Sequence, residues 1–329
     1  MNVRRIVRFR NRVKSLGVVS AAAIIVAVLS AISSPGIAGA ATPPPSSTPY
    51  SYYAVDGSTS TAYTLGCNQG TSDKTSGNNS STILDFFSQN STGTGTYEDF
   101  TSAIFISNAN IEAMAEQFAL GYYVCTGTDT TTTNSLAIGT SNDGSGQNST
   151  AGAAWAGVVN TVSAWVSTNN VHQVAVLGGN DIESWGGTGT YSGTSSWISG
   201  YSSAAHSLYY DYGSADGCPG TTYNNGACSS SWNQYDYWNV SWGDVWGLAV
   251  PETYYNPVPS NPINTQQWSE ISSYGSVYQG SKIYFTAPLT EHLRVSGTLT
   301  SSQAWNDLET YNSEPSGFAF NMQFAAGYI

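Results

Sequence analysis

The feature that most restricts the fold of this chain is a repeated unit, in which a short apolar run ends in polar or acidic residues and a helix-like stretch follows. Examples of these runs are STILDFFSQN (81–90), NSLAIGTSN (134–142) and HQVAVLGGNDIE (172–183). About eight runs alternate with about seven amphipathic stretches over residues 80–329. Strands that alternate with helices indicate βαβ units and therefore a parallel sheet.

Eight such units in a chain of this length predict a single (β/α)₈ barrel of the TIM type. A doubly wound open sheet is the alternative, and such sheets usually carry a glycine-rich phosphate turn after the first strand. The corresponding stretch here, LDFFSQNSTGTGTY, contains glycines but not the pattern G-x-G-x-x-G.

The N-terminus is typical of an exported protein. A basic start (MNVRRIVRFRNRVK) is followed by the apolar run LGVVSAAAIIVAVLSAI and by the small residues Ala38-Gly39-Ala40. This pattern predicts a signal peptide over residues 1–40 that is cleaved near Ala40. An uncleaved anchor is the alternative, with an apolar run near the lower length limit for a membrane span. Residues 41–62, with TPPPSSTPYS, are expected to be a Pro/Ser/Thr-rich linker, and residues 63–329 the barrel domain.

Removal of that leader would make the chain strongly acidic. Only Lys74, Lys282 and Arg294 remain as basic residues against 21 acidic ones, a formal net charge of −18. Such a surface repels phosphate backbones and anionic bilayers, so neither nucleic acid nor a membrane is expected as a partner. The remaining polarity comes from Ser, Thr, Asn, Gly and Tyr, which suits an extracellular protein that meets neutral polymers.

The four cysteines after residue 40 are expected to form disulfides, because an even count in an exported chain favours them. A structural zinc site would need closely spaced Cys/His pairs, and the sequence has none. No metal and no cofactor are therefore predicted. Of the three possible pairings, closure of the short loop favours Cys218–Cys228, which leaves Cys67–Cys125.

Acidic residues are concentrated at the predicted strand ends. In barrels the active site lies at the carboxyl ends of the strands. Asp181 and Glu183, two apart on an extended segment, are expected to point to the same side. Taken singly, such an acid is more often a solvated loop residue or a helix cap than a functional residue. The hypothesis of a functional cleft therefore depends on the recurrence of acids at these positions. The acids at these positions are Asp85, Asp181, Glu183, Asp211, Glu252 and Glu291.

Two motifs resemble a known enzyme family. TILDFFSQN (82–90) and NDIESW (180–185) are similar to elements of family 25 glycoside hydrolases and their barrel relatives. The stretch from about 80 to 325, with DIE, GSADGCP, SWG and PE-x-Y in this order, also resembles a family of secreted actinobacterial proteins without an assigned activity. The first resemblance implies that Glu183 is the general acid and that Asp181 and Asp85 support it.

The residue types fit glycoside cleavage independently of the resemblance. That reaction needs one protonated carboxyl group and a second carboxylate, and neighbouring carboxylates separate each other's pKa values. Glu183, Asp181, Asp85 and Glu252 are the candidate catalytic residues. Aromatic faces near strand ends can stack on sugar rings, and the candidate substrate-binding residues are Trp185, Asp211, Tyr212 and Tyr254.

Two functions remain open from the sequence. The first is a secreted hydrolase that acts on an extracellular or cell-wall polysaccharide. The second is a catalytically inactive barrel that binds glycan or a cell-surface partner. Convergence of Asp181, Glu183 and a third carboxyl group in one cleft with a sugar-sized groove would favour the hydrolase.

Overall fold

The fold is known from a computed structural model, which describes residues 50–54, 57–98, 104–127, 129–184, 189–254, 264–295, 298–311 and 320–324. The predicted signal peptide (1–40) and Trp185 lie outside these residues. Within them, no helix is both long and apolar enough to cross a bilayer.

Parallel strands alternate with helices through the described chain, as the sequence pattern predicts. A short antiparallel hairpin, formed by Gly95–Tyr97 and Phe105–Ser107, interrupts the alternation. The π-helical turn Asn239–Gly243 directly follows the helix Gln234–Trp238. The elements are β1 (Tyr50–Tyr53), α1 (Thr59–Ser76), β2 (Ser80–Gln89), β3 (Gly95–Tyr97), β4 (Phe105–Ser107), α2 (Asn108–Thr126), β5 (Asn134–Ser141), α3 (Ser149–Thr168), β6 (Val174–Asp181), α4 (Tyr191–Ala204), β7 (Tyr209–Asp211), α5 (Gln234–Trp238), β8 (Gly247–Ala249), α6 (Asn264–Tyr274), β9 (Leu289–Thr290), α7 (Ser301–Tyr311) and β10 (Phe320–Phe324).

The parallel strands form one large sheet in the order β8-β7-β6-β5-β2-β1-β10-β9. Every neighbouring pair in this order is parallel. The two strands at the ends of the order are also linked, because Glu252 after β8 forms a parallel bridge with Leu289 of β9. The amide of Leu289 donates to the carbonyl of Pro251 at 2.9 Å. The mixed α/β class and the parallel sheet expected from the sequence are thus confirmed.

The predicted linker over 41–62 is wrong in its second half. Residues Tyr50–Tyr53 form β1, which pairs with β2 on one side and β10 on the other, and α1 already begins at Thr59. A four-residue strand carries little periodicity of its own, and its pairing partners lie far along the chain.

Side chains of the sheet alternate between two cores. Ile83 and Leu84, for example, are both buried but belong to different cores. The helix core lies between strands and helices and includes Leu84, Trp155 and Trp197. Strands that are buried on both faces are apolar on both faces, which explains the continuous apolar runs in the sequence. The strand core consists of Tyr53, Ile83, Phe87, Ala137, Leu177, Tyr210, Tyr212, Val250, Ala287 and Leu289.

Two disulfides are present, and the described residues include no free cysteine. Cys67–Cys125 joins α1 to α2, and Cys218–Cys228 closes the loop after β7. This is the pairing that closure of the short loop favours. Helices α1 and α2 also approach closely at Gly66, where an added Cβ would lie 2.0 Å from the carbonyl oxygen of Phe118.

Candidate functional site

Three carboxylates converge beyond the carboxyl ends of the strands. Oxygen atoms of Asp181, Glu183 and Glu252 all lie within 4.8 Å of one another. Asp181 ends β6, and Ile182 is fully buried in the helix core. Side chains alternate along an extended segment, so Asp181 and Glu183 point away from the helix core that holds Ile182. On that side they lie close to Glu252, which follows β8.

Glu183 is held from two sides. Asn142, directly after β5, accepts from the Glu183 amide through Oδ1 at 3.0 Å and donates from Nδ2 to the Glu183 carbonyl at 2.8 Å. The Ser214 hydroxyl donates to Oε1 of Glu183 at 2.9 Å. The Glu183 side chain is only partly buried. Its backbone is therefore fixed while its side chain stays partly exposed.

Glu252 is the most buried member of the group, with 5% of its surface exposed. The hydroxyl of Tyr254 donates to Oε1 of Glu252. The bridge to Leu289 fixes the backbone of Glu252 at the junction of β8 and β9. Its side chain therefore has a defined position beside the other two acids.

Asp85 lies close by, at an irregular point of β2. The register with β5 shifts between Asp85 and Ser88. Phe87 has a φ of 64°, which is unusual for a bulky side chain, and its amide donates to Oδ1 of Asp85 at 2.8 Å. The Tyr53 ring stacks on Phe87 at a centroid distance of 5.5 Å. The Asp85 carboxylate thus stabilises a strained turn that also places two aromatic rings near the acids.

Burial and mutual repulsion favour the protonated forms of two acids in the group. Burial, followed by the charges of Glu183 and Asp85, raises the pKa of Asp181 well above its usual value. Burial, followed by the charges of Glu183 and Asp181, does the same to the pKa of Glu252. Oδ1 of Asp181 is buried without a hydrogen-bond partner. Because the acids titrate together, the group as a whole retains protons at a pH where isolated carboxyl groups would have lost them.

Asp211 does not belong to this group of three. Its neighbours Tyr210 and Tyr212 lie in the strand core, so the side chain between them faces the helices. Asp211 is fully buried, and its carboxylate accepts from the hydroxyl of Ser241 in the turn after α5. Burial raises the pKa of Asp211 to about 7. This position removes the reason for its predicted substrate-binding role.

The other predicted substrate-binding residues differ in their positions. Tyr254 is partly buried beside Glu252. Tyr212 is almost fully buried, and its hydroxyl donates to the carbonyl of Thr140 at 2.9 Å. Burial, followed by the charges of Asp85 and Asp181, raises the pKa of Tyr212 well above its usual value, which places its hydroxyl near both acids.

Glu291, Tyr53 and Arg294 lie beside the acids but are not among the catalytic or substrate-binding candidates from the sequence. Glu291 is predicted only as a strand-end acid. Tyr53 falls in the predicted linker, and no motif surrounds Arg294. The Tyr53 hydroxyl donates to Oε1 of Glu291 at 2.6 Å. A signal did exist for Arg294, because it is the only arginine after residue 12 in a chain rich in acids.

The group of three could also bind a cation. Carboxylate oxygens are the ligands that hard divalent cations such as Ca²⁺ and Mg²⁺ prefer. Zinc usually takes imidazole or thiolate ligands, and this group offers neither.

Comparison with known proteins gives no assignment by sequence. No known protein-family model matches the chain, and no curated protein is significantly similar to it. Among solved structures, the chain is similar to apo homocysteine methyltransferase MmuM from Escherichia coli, with 8% identity, a TM-score of 0.41, and coverage of 79% of this chain and 80% of that one. It is also similar to a GH113 beta-1,4-mannanase solved as a complex, with 9% identity, a TM-score of 0.39, and coverage of 86% and 89%. Conclusions about chemistry must therefore come from the residues of the site.

Proposed function

We propose that the protein is a secreted glycoside hydrolase-like enzyme that cleaves an extracellular or cell-wall polysaccharide. The observation that carries this proposal is the convergence of Asp181, Glu183 and Glu252 within 4.8 Å at the carboxyl ends of parallel strands. Glycosidic cleavage needs a carboxyl group that donates a proton to the leaving oxygen and a second carboxylate that acts on the sugar. The raised pKa values of Asp181 and Glu252 favour protonated carboxyl groups at this site, as proton donation to the leaving oxygen requires.

We further propose that the parallel sheet closes into a (β/α)₈ barrel. The bridge between Glu252 and Leu289 joins the two strands at the ends of the sheet order. The amide of Thr286 also donates to the carbonyl of Ala249 at 2.8 Å. In a closed barrel, the carboxyl ends of all parallel strands surround one opening, where barrel enzymes place their active sites.

In this proposal Glu183 is the proton donor. It is partly exposed and its backbone is fixed, whereas Glu252 is more deeply buried. Burial, followed by the charge of Glu183, raises the pKa values of Asp181 and Glu252, so two acids that favour their protonated forms lie within 4.8 Å of Glu183. Asp181, Asp85 and Glu252 keep the proton of Glu183 available and orient the donor.

Tyr254, beside Glu252, provides a face on which a sugar ring can stack. The sequence assigns the same role to Trp185, which lies outside the described residues. A formal net charge of −18 after residue 40 would repel an anionic polymer, so a neutral polysaccharide fits best. Tyr212 is buried close to Asp85.

The test is an assay for new reducing ends on a panel of polysaccharides that includes peptidoglycan. Wild type is compared with Glu183→Gln, which keeps the shape and removes the proton, and with Glu112→Gln on α2 as a control. Glu183→Gln should lower the rate by about 10²–10⁴-fold, the usual contribution of a positioned acid, and the control should not. Equal rates for wild type and Glu183→Gln would remove Glu183 from the mechanism. Binding of a polysaccharide without cleavage by wild type would instead support the inactive, glycan-binding alternative.

Export is the second part of the proposal, and it is motivated by residues 1–40 and by the two disulfides. The protein recovered from culture medium of its native host should begin near Ala41 when its N-terminus is sequenced. Intact Met1 on membrane-bound protein would contradict cleavage.

A further inference from the structure

The acid beyond β9 differs from the group of three because it has a cationic partner. Both oxygens of Glu291 accept from Nη1 of Arg294, at 2.8 and 2.7 Å. This is the one ion pair found in the described part of the chain. Glu291 is also largely buried, with 6% of its surface exposed. Arg294, one of only three basic residues after residue 40, thus pairs with this carboxylate.

Tyr53 completes the support of this carboxylate. Its hydroxyl donates to Oε1 of Glu291 at 2.6 Å. The guanidinium carbon of Arg294 lies 5.3 Å from the centroid of the Tyr53 ring, a distance at which a cation is attracted to the ring face. Glu291 is thus held by two residues that also contact each other, which fixes its oxygens in one orientation.

Glu291 lies within electrostatic range of the other acids. It follows β9 directly, and Leu289 of that strand bridges to Glu252. The charge of Glu291 contributes to the raised pKa values of Glu252 and Asp181. Glu291 is therefore ion-paired, whereas Asp181 and Glu252 lie in surroundings that favour their protonated forms.

We propose that Glu291 is the nucleophile of the hydrolase, with Arg294 and Tyr53 as its positioning residues. This inference rests on the function proposed above and makes it more specific, because a carboxylate nucleophile implies a double-displacement reaction with net retention at the anomeric carbon.

The two steps balance as follows. In the first, an oxygen of Glu291 forms a bond to the anomeric carbon while the glycosidic bond breaks, and the leaving oxygen takes the proton of Glu183. In the second, the Glu183 carboxylate removes a proton from water, the water oxygen bonds to the anomeric carbon, and the bond to Glu291 breaks. Glu291 returns as a carboxylate and Glu183 as an acid.

The assignment to Glu291 follows from the opposite environments of the acids. A nucleophile must be ionised while the donor is protonated, and sites achieve this by placing two carboxyl groups in different surroundings. Arg294 donates to both oxygens of Glu291. Burial and like charges instead oppose ionisation of Asp181 and Glu252, the two acids that lie within 4.8 Å of the donor Glu183.

The first test uses wild type alone. Proton NMR of the initial product, recorded on the polysaccharide that the panel identifies, reports the anomeric configuration before mutarotation. Retention is expected. Inversion would overturn the role of Glu291 and leave the proposed hydrolase intact. Failure of wild type to cleave any polysaccharide would overturn the proposed function and this inference with it.

The second test is rescue by sodium azide. Glu291→Ala should lose about 10³-fold or more in rate, in the range seen when a nucleophile is removed. Azide can enter the space left by the carboxylate, so it should restore turnover on a 2,4-dinitrophenyl glycoside of the same sugar, with a glycosyl azide as product. Glu112→Ala, on α2, is the control and should neither lose activity nor respond to azide. An active Glu291→Ala variant, or a folded one that azide does not rescue, would overturn the proposal. Near-ultraviolet circular dichroism of Glu291→Ala shows whether the fold is kept. Glu291→Gln is a second variant, in which the side-chain oxygen can still accept from the Tyr53 hydroxyl.

Discussion

Asn142 binds the backbone of Glu183 with both ends of its side-chain amide, accepting from its N–H and donating to its carbonyl. The first residue beyond β5 thereby fixes the second residue beyond β6, its neighbour in the sheet. The two strands are paired along their whole length. Asn160 on α3 makes a similar pair of contacts, with the carbonyl of Ala204 at 2.9 Å and the amide of His206 at 3.1 Å. The two asparagines offer a matched comparison, because both bind a backbone carbonyl and a backbone amide. Asn160 does so before the start of β7, at the end of the strands away from the acids.

Replacement of Asn142 should separate positioning from stability. Asn142→Ala removes three side-chain hydrogen bonds, two to the backbone of Glu183 and one to the hydroxyl of Thr194. It should lower the free energy of unfolding by about 1–3 kcal/mol, since each bond contributes about 1 kcal/mol net. It should also lower kcat by about 10-fold to 100-fold, because small displacements of a catalytic group are costly. Asn160→Ala should destabilise the protein to a similar degree with unchanged kcat. Urea unfolding and initial rates measure both effects. The same kcat for the two variants would show that the contact with Glu183 does not position it for catalysis.

Asp211 should make the protein less stable as pH rises. Its pKa is raised to about 7 in the folded protein, against about 3.9 when unfolded, so the folded state binds the proton more tightly. The resulting stabilisation is complete below about pH 4 and is lost as pH rises to about 7, with a slope of at most about 1.4 kcal/mol per pH unit. Asp211→Asn should flatten the curve of unfolding free energy in this window.

The control for that prediction is Asp129, whose pKa has the opposite shift. Hydrogen bonds from Thr131 lower its pKa to about 2, so its contribution is present above about pH 4 and is lost only as pH falls further. Asp129→Asn should change the curve below pH 4 and leave the interval from 4 to 7 unaltered. Urea midpoints measured from pH 3 to 8 distinguish the two. An unchanged slope in Asp211→Asn would contradict the raised pKa.

The two disulfides should differ in what their removal changes. Loop-closure entropy for sequence separations of 58 and 10 predicts losses of about 4 kcal/mol for Cys67→Ser/Cys125→Ser and about 3 kcal/mol for Cys218→Ser/Cys228→Ser. Only the second pair closes the loop that follows Ser214, the hydrogen-bond donor to Glu183. We therefore expect reduced kcat for that variant and unchanged kcat for the first, at a temperature where both are folded. Equal kcat values would show that this loop does not support Glu183.

Two glycine-to-alanine changes should have opposite effects on stability. A Cβ at Gly139 of β5 would lie 2.3 Å from the hydroxyl oxygen of Tyr212, which is buried and cannot move without disturbing the strand core. Gly139→Ala should cost about 1–3 kcal/mol, the usual cost of overpacking. Gly157 is exposed on α3 and its Cβ would meet nothing within 4 Å, so Gly157→Ala should stabilise the helix by about 0.5–1 kcal/mol. Thermal unfolding of both variants checks the prediction, and a stable Gly139→Ala would mean that Tyr212 is free to shift.

Local patterns along the sequence were enough to predict the α/β class and the relation between Asp181 and Glu183. Apolar periodicity distinguishes helices from strands because it depends on the geometry of a few consecutive residues. The alternation of side chains along an extended segment likewise places Asp181 and Glu183 on one side of Ile182. The disulfide pairing also followed from distance along the chain, because the loop between Cys218 and Cys228 is short.

Tertiary structure alone decided which strands meet and which face of each strand turns towards the acids. Asp211 ends its strand as Asp181 does, but Tyr210 and Tyr212 occupy the strand core, so Asp211 faces the helices. Tyr53 was assigned to a linker because its strand has four residues and is stabilised by pairing with β2 and β10. Its contact with Glu291 spans 238 positions of the chain. Local sequence pattern carries no information about such a pair, because the two residues meet only after the intervening helices and strands have packed.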